Sequence, residues 1–215
     1  MLAPFVLTIL SLGDSYTIGE GVAPEKRWPV QLAVAMRSLG LDARDPQIIA
    51  RTGWTTGELR KGIEESQVEA RYDWVTVLIG VNNQYRGRSP DEYRKELNEL
   101  IRYAIEKAGS HPKRVIVLSI PDWGVTPFAK EKGKDPAKIA EEIDTYNRVK
   151  REEAERLGVH FVDITDISRE AGLDDSKLPA EKRLLADDGL HPSGAMYQRW
   201  VERVLPIIRS ELSLK

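Results

Sequence analysis

The sequence predicts an α/β fold, with a five-stranded parallel sheet covered by helices on both faces, in a single domain over residues 1–215. Three observations carry this reading. Five short apolar runs, most of them rich in β-branched residues, recur along the chain. Segments with helical spacing of apolar residues separate them. The two kinds alternate with no repeat, low-complexity stretch or linker between them, and strands joined through helices run parallel with right-handed crossovers.

The first run, FVLTILSL at residues 5–12, is apolar at nearly every position and stops at Gly13. Such a run suits a strand buried on both faces, as a parallel sheet requires. The other four lie at residues 46–51, 73–80, 114–120 and 159–164. Helices are expected over 28–39, 55–71, 90–108, 137–157 and 193–212, the third with the cleanest i, i+3, i+4 stripe and the last with Pro206 inside it as a potential kink. Two connections are long, 121–136 and 166–192. Both follow strands, so both should overhang the rim where the strands end.

Composition narrows the function classes. The chain has no cysteine, which excludes disulfide scaffolds, thiolate metal sites and cysteine nucleophiles. With 32 basic and 34 acidic residues the net charge is −2, and no basic footprint for nucleic acid is present. No metal-ligand spacing and no phosphate-binding glycine motif appears, so no cofactor is expected. Residues 1–12 lack a basic start and a cleavage site and are too short to span a bilayer, so they read as the first strand, not as a targeting segment. The compartment stays open between cytoplasmic and, if a signal was removed before residue 1, secreted or periplasmic. The oligomeric state is not legible.

Ligands of open α/β sheets bind beyond the carboxyl ends of the strands, which is where Gly13-Asp14-Ser15 leaves the first strand. A serine is a weak nucleophile until a base takes its proton, and that base is usually held by a carboxylate. Of the three histidines, His111 and His160 lie at the starts of strands, on the opposite rim. His191 closes the second long loop, with Asp188 three residues before it and a turn between, so the two can point the same way. Asp187 reads as a solvated neighbour. Acyl transfer also needs donors aimed at the developing oxyanion. Gly53, after the second strand, offers a backbone N–H that a substrate can approach closely, and Asn82, after the third, offers a side-chain amide.

Taken together, Gly13-Asp14-Ser15, Gly53, Gly80-x-Asn82 and Asp188-x-x-His191-Pro192 resemble the four blocks of the SGNH (GDSL) hydrolases, in the family's order and across nearly the whole chain. The resemblance implies a flavodoxin-like three-layer α/β/α fold and a metal-free triad. Ser15 would be the nucleophile, His191 the base and Asp188 its orienter, with the Ser15 N–H, the Gly53 N–H and Asn82 forming the oxyanion hole. Two positions depart from the pattern. Tyr16 stands where the family often has Leu, which bears on packing more than chemistry. Asn83 stands where it usually has Asp, and an amide can donate where a carboxylate cannot.

The resemblance implies hydrolysis of carboxylic esters, with a small-molecule ester as partner. No membrane-binding stripe is evident, and Trp54, Tyr85 and Trp123 lie near the rim, which together favour short-chain or acetyl esters, on carbohydrates in the natural case. A lysophospholipase or thioesterase is the alternative enzyme, and a non-catalytic carbohydrate-binding protein is the alternative from another class. Glu20, Arg51 and Arg86 are weaker candidates for the rim of the site, and the lysine-rich residues 130–134 read as solvated loop.

Overall fold

The structure is a computed structural model that describes residues 6–171, 179 and 182–214. The start of the first apolar run and the middle of the second long connection lie outside the described residues.

Five strands form one sheet: β1 Ile9–Gly13, β2 Gln47–Ala50, β3 Trp74–Leu78, β4 Val115–Leu118 and β5 His160–Val162. All neighbours are parallel, in the order β2-β1-β3-β4-β5. This is the doubly wound, flavodoxin-like order, with its switch point between β1 and β3. The register puts Gly13 level with both Ala50 and Leu78, and Val117 level with Val77 and Phe161. The carboxyl ends therefore leave the sheet at one height, and the loops that follow converge on one rim. The three central strands are buried along their whole length, as their continuous apolar sequence requires.

Helices follow in chain order: α1 Ser15–Ile18, α2 Trp28–Ser38, α3 Thr56–Glu64, α4 Val81–Tyr85, α5 Pro90–Lys107, α6 Pro127–Glu131, α7 Pro136–Leu157, α8 Thr165–Glu170 and α9 Gly194–Glu211. α2 packs on α9 to make one layer, while α5 packs on α3 and α7 to make the other. Trp28, Trp74, Trp200, Tyr93 and Tyr197 are fully buried between the layers.

The elements differ from expectation in several places. The strand at the N-terminus begins at Ile9, with Leu7 making a single bridge to Ala43. The helix expected over 55–71 stops at Glu64: after Ile63 its apolar stripe lapses, and the chain turns away with Ser66 N–H bonded to the Ile63 carbonyl. The connection 121–136 is not irregular throughout, since it holds a single 3₁₀ turn at Trp123–Val125 and then α6. The connection 166–192 likewise opens inside a helix, α8. α9 is continuous across Pro206, which is exposed, as is Glu202, whose carbonyl the missing N–H leaves to water.

Candidate active site

Asp14 starts the site. It caps α1, its Oδ1 accepting the Tyr16 N–H at 3.1 Å, so Ser15 becomes the first residue of a four-residue helix directly after β1. Gly13 has no alternative here. A Cβ would fall 2.4 Å from the Leu78 carbonyl and 2.2 Å from Thr17 Oγ1. The Ser15 N–H has no partner among the described residues, and the side chain lines a cleft at the sheet rim.

His191 meets that cleft from the other side. Asp187 and Asp188 form a tight turn, closed by the Gly189 N–H to the Ala186 carbonyl, and the Ala186 N–H bonds to the His191 carbonyl. Asp188 holds the histidine twice. Its Oδ1 accepts the backbone N–H groups of Leu190 and His191, each at 2.9 Å, and its Oδ2 takes the ring Nδ1 at 2.6 Å. Partial burial works to raise the Asp188 pKa, but the hydrogen bonds from the His191 ring and the two N–H groups outweigh it and keep the carboxyl below the ordinary aspartate value. Asp188 thus stays ionised wherever a histidine titrates, and the ring N–H is fixed on Nδ1 with Nε2 as the open nitrogen. The Tyr16 ring meets the imidazole edge-on at 5.8 Å.

The candidate donors stand on the next two strand ends. Gly53 adopts φ +86°, a conformation that favours glycine, and its N–H has no partner among the described residues. Asn82, on α4, donates one amide hydrogen to the Trp54 carbonyl at 2.9 Å, which leaves the second free and ties α4 to the Gly53 turn. Asn83 reinforces that tie. Its Oδ1 accepts the Thr56 N–H at 3.0 Å, its Nδ2 donates to Thr56 Oγ1 at 2.7 Å, and the Thr56 hydroxyl in turn donates to Glu96. The amide at 83 is therefore used on both sides, where a carboxylate could only accept.

Ser15, Gly53, Asn82 and His191 line one cleft of about 230 Å³, with Tyr16, Val81, Tyr85, Trp123, Phe128 and Leu190 as apolar walls. No hydrogen bond joins Ser15 Oγ to His191; such contacts commonly tighten only once substrate closes the site. A larger groove of about 680 Å³ runs between α2 and α9, but it holds none of these side chains. Among the described residues, no cluster of three or more His, Asp or Glu side chains is arranged to hold a metal ion.

The weaker candidates divide. Trp123 and Tyr85 do reach the cleft, Trp123 buried and fixed through Nε1 to Gln84 Oε1 at 2.8 Å, Tyr85 half exposed at the mouth. Trp54 does not. Its ring packs against Gly62, where a Cβ would lie 2.0 Å from it. Arg86 donates to the Gly53 carbonyl and pairs with Glu58, so it braces the turn instead of awaiting an anion. Glu20 accepts from the Thr52 hydroxyl at the rim. His160 pairs with Glu211, and His111 precedes the 3₁₀ turn at Pro112–Arg114 that leads into β4, both away from the cleft. Sequence reasoning missed Val81, Phe128 and Leu190. Phe128 in particular stands just before the lysine-rich residues 130–134, and only the apolar residue itself hints at a wall.

A flavodoxin-like sheet with a serine, a carboxylate-held histidine and open amide donors at its carboxyl rim defines a class of hydrolytic α/β enzyme. The model of the GDSL-like lipase/acylhydrolase family matches residues 11–199, and the chain belongs to that family, as a carboxylic ester hydrolase. Solved structures with the same architecture include TesA (TM-score 0.70, 19% identity, 94% of this chain and 98% of that one). The acetylxylan esterase Axe2 from Geobacillus stearothermophilus is also similar (TM-score 0.69, 22% identity, 94% of each chain). So is the psychrotrophic esterase EstA from Pseudoalteromonas sp. (TM-score 0.66, 18% identity, 96% of this chain and 98% of that one). At these identities the likeness is one of fold. No curated protein sequence matches significantly.

Proposed function

We propose that this enzyme hydrolyses short-chain esters, acetyl esters foremost, through an acyl-enzyme on Ser15. His191 Nε2 takes the Ser15 hydroxyl proton as Oγ attacks the ester carbonyl carbon. The resulting oxyanion is met by the N–H groups of Ser15 and Gly53 and the free amide hydrogen of Asn82. The alcohol leaves with the proton from His191. Water then gives a proton to the same nitrogen as it attacks the acyl carbon, and His191 returns that proton to Ser15 Oγ as the acyl C–O bond breaks and the acid forms. Asp188 orients the ring throughout.

The observation that carries the acyl preference is the size of the cleft. At about 230 Å³ it lies below the roughly 300–1,000 Å³ of pockets that take drug-sized ligands, and Trp123, Phe128 and Leu190 wall it. The half-exposed Tyr85 at the mouth offers an aromatic face to a sugar alcohol, which favours an acetylated carbohydrate over a lipid as natural substrate. The acetylxylan esterase likeness points the same way at the level of fold. Hydrolysis of p-nitrophenyl acetate, butyrate and octanoate, with Ser15→Ala beside the native enzyme, tests the reading. Serine-dependent rates should fall from acetate to octanoate. A rise with chain length would replace this reading with the lysophospholipase or thioesterase one, and full activity in Ser15→Ala would remove Ser15 as nucleophile.

A further inference from the structure

Two of the three proposed oxyanion donors, the Gly53 N–H and the Asn82 amide, stand on different elements, and something must hold those elements in register. Gly53 is the third residue of the turn Arg51-Thr52-Gly53-Trp54, which the Trp54 N–H closes onto the Arg51 carbonyl at 3.2 Å. Its φ of +86°, with no positive φ at Thr52, makes this a type II turn. The donor N–H belongs to the peptide between Thr52 and Gly53, and both residues line the cleft. Packing does little to place that peptide. Arg51 and Thr52 are exposed, and Gly53 and Trp54 are only partly buried. Apart from its chain neighbours, a Cβ on Gly53 would meet one atom within 4 Å, Arg86 Nη2 at 3.8 Å.

Polar contacts place the turn instead. Arg86 ends α4, and its Nη2 donates to the Gly53 carbonyl at 2.6 Å. Asn82, in the first turn of the same helix, donates to the next carbonyl, that of Trp54, at 2.9 Å. Side chains from the two ends of one short helix thus grip consecutive carbonyls. From α1's side, Glu20 accepts from the Thr52 hydroxyl. Arg86 is itself held. Its Nη1 donates to Glu58 Oε1 at 3.1 Å, and Glu58 Oε2 accepts the Thr55 N–H at 2.8 Å in the capping box of α3. A flat fork that serves two acceptors at once is a property of guanidinium, whereas an ammonium presents a single centre. The Thr55 N–H, and after it the Arg86 hydrogen bond, keep the Glu58 carboxyl below its ordinary value against the effect of partial burial. The brace therefore keeps its charges wherever a histidine titrates.

We propose that Arg86 is a positioning residue for the reaction, which pins the Gly53 carbonyl to α4 and so sets the Gly53 N–H against the Asn82 amide. This rests on the assignment of Ser15 as nucleophile. Oxyanion donors are aimed at the position of the developing oxyanion, not at that of the ground-state carbonyl oxygen. A looser turn therefore raises the barrier without weakening substrate binding. The Arg86 and Glu58 side chains are 42% and 43% exposed, and an ion pair this exposed adds little to stability. The fold should stand without it.

The test is steady-state kinetics on p-nitrophenyl acetate, with inhibition by methylboronic acid, for Arg86→Met and Arg86→Lys beside the native enzyme and Ser15→Ala. The boronic acid adds to Ser15 Oγ as a tetrahedral anion with one oxygen in the hole, so it reads the hole without turnover. Arg86→Met should lose about tenfold in kcat, less than the loss of a whole donor, with KM little changed. Methylboronic acid should bind more weakly by a similar factor, and the melting temperature should stay near the native one. The acid limb of the pH profile should not move, because nothing in the brace titrates with the histidine. Arg86→Lys should recover part of kcat, since an ammonium can reach the Gly53 carbonyl but cannot fork to Glu58 as well. An unchanged kcat in Arg86→Met would overturn the inference. So would a loss confined to KM, which would put Arg86 against the substrate, or a fall in kcat with inhibitor binding unmoved. Retained activity in Ser15→Ala would instead overturn the nucleophile assignment, and with it the reading on which this one rests.

Discussion

At the scale of single residues, the proposed oxyanion hole includes one side-chain amide held in place by another hydrogen bond. Asn82 spends one hydrogen on the Trp54 carbonyl, and this fixes the direction of the other. Asn82→Ala should therefore lower kcat by about 100- to 1000-fold, as removal of one oxyanion donor does elsewhere, with KM and the melting temperature little changed. Steady-state kinetics on p-nitrophenyl acetate reads this directly; an unchanged kcat would place the donor at another residue. Asn83 shows how a departure from the family pattern is absorbed. Its amide donates to Thr56 Oγ1, and that hydroxyl donates onward to Glu96. Asn83→Asp puts an acceptor where a donor stands, and the Thr56 hydrogen cannot serve both carboxylates. We expect a loss of about 1–3 kcal/mol in stability. It should grow as pH rises and the buried aspartate ionises, with no gain in activity. Urea melts at pH 5 and pH 8 would separate the two; equal losses at both would show that the charge is not felt. That Ser15, Gly53, Asn82 and His191 meet at one cleft, with Asp188 behind the histidine, was legible because each is a polar or glycine residue at a strand end or before the last helix. The network behind Asn83 was not, since Thr56 and Glu96 belong to helices whose facing is set only by packing.

At the scale of elements, exposed ion pairs and one buried carboxylate join the helices to each other. Glu153 on α7 is almost fully buried and bonds to Asn98 and Arg94 of α5 and to Arg156 of its own helix. Burial works to raise its pKa, yet the hydrogen bonds of Arg156, Asn98 and Arg94 prevail and hold it below the ordinary glutamate value of 4.5. A carboxyl whose native pKa is depressed stabilises the fold above its unfolded pKa, and that contribution is lost as pH falls through the native value. Glu153→Gln should thus cost about 1–2 kcal/mol at pH 7, kept modest because both arginines reach solvent. The gap to the native enzyme should close as pH falls through the depressed Glu153 pKa, below the ordinary glutamate value, and a gap that stays constant with pH would assign the effect to packing. The strands and long helices were legible from β-branched runs and stripes of 3.6 period. α1, α4 and α8 were not, being four to six residues long, too short to show a period. They are fixed instead by what happens at strand ends, such as the Asp14 cap.

At the scale of the whole molecule, the sheet register brings loops from distant parts of the chain onto one rim, and the cleft is closed by their mutual contact. α6 carries Phe128 over the site, and the Phe128 N–H bonds to the Gly189 carbonyl at 3.1 Å, so the wall is attached to the turn that holds Asp188 and His191. The Phe128 ring meets Trp123 edge-on at 6.3 Å, and together they end the cleft. Phe128→Ala keeps the backbone bond to Gly189 and removes only the ring. Each methylene that can then be buried is worth about 0.8 kcal/mol, or roughly fourfold in kcat/KM. In the native enzyme kcat/KM should gain nothing beyond butyrate. In Phe128→Ala it should rise about fourfold per added carbon over the next two or three, while acetate hydrolysis falls only slightly because the Asp188 turn stays anchored. A chain-length profile identical to the native one would mean that the acyl group lies along another wall of the cleft, toward Val81 and Leu190, and that Phe128 faces the alcohol.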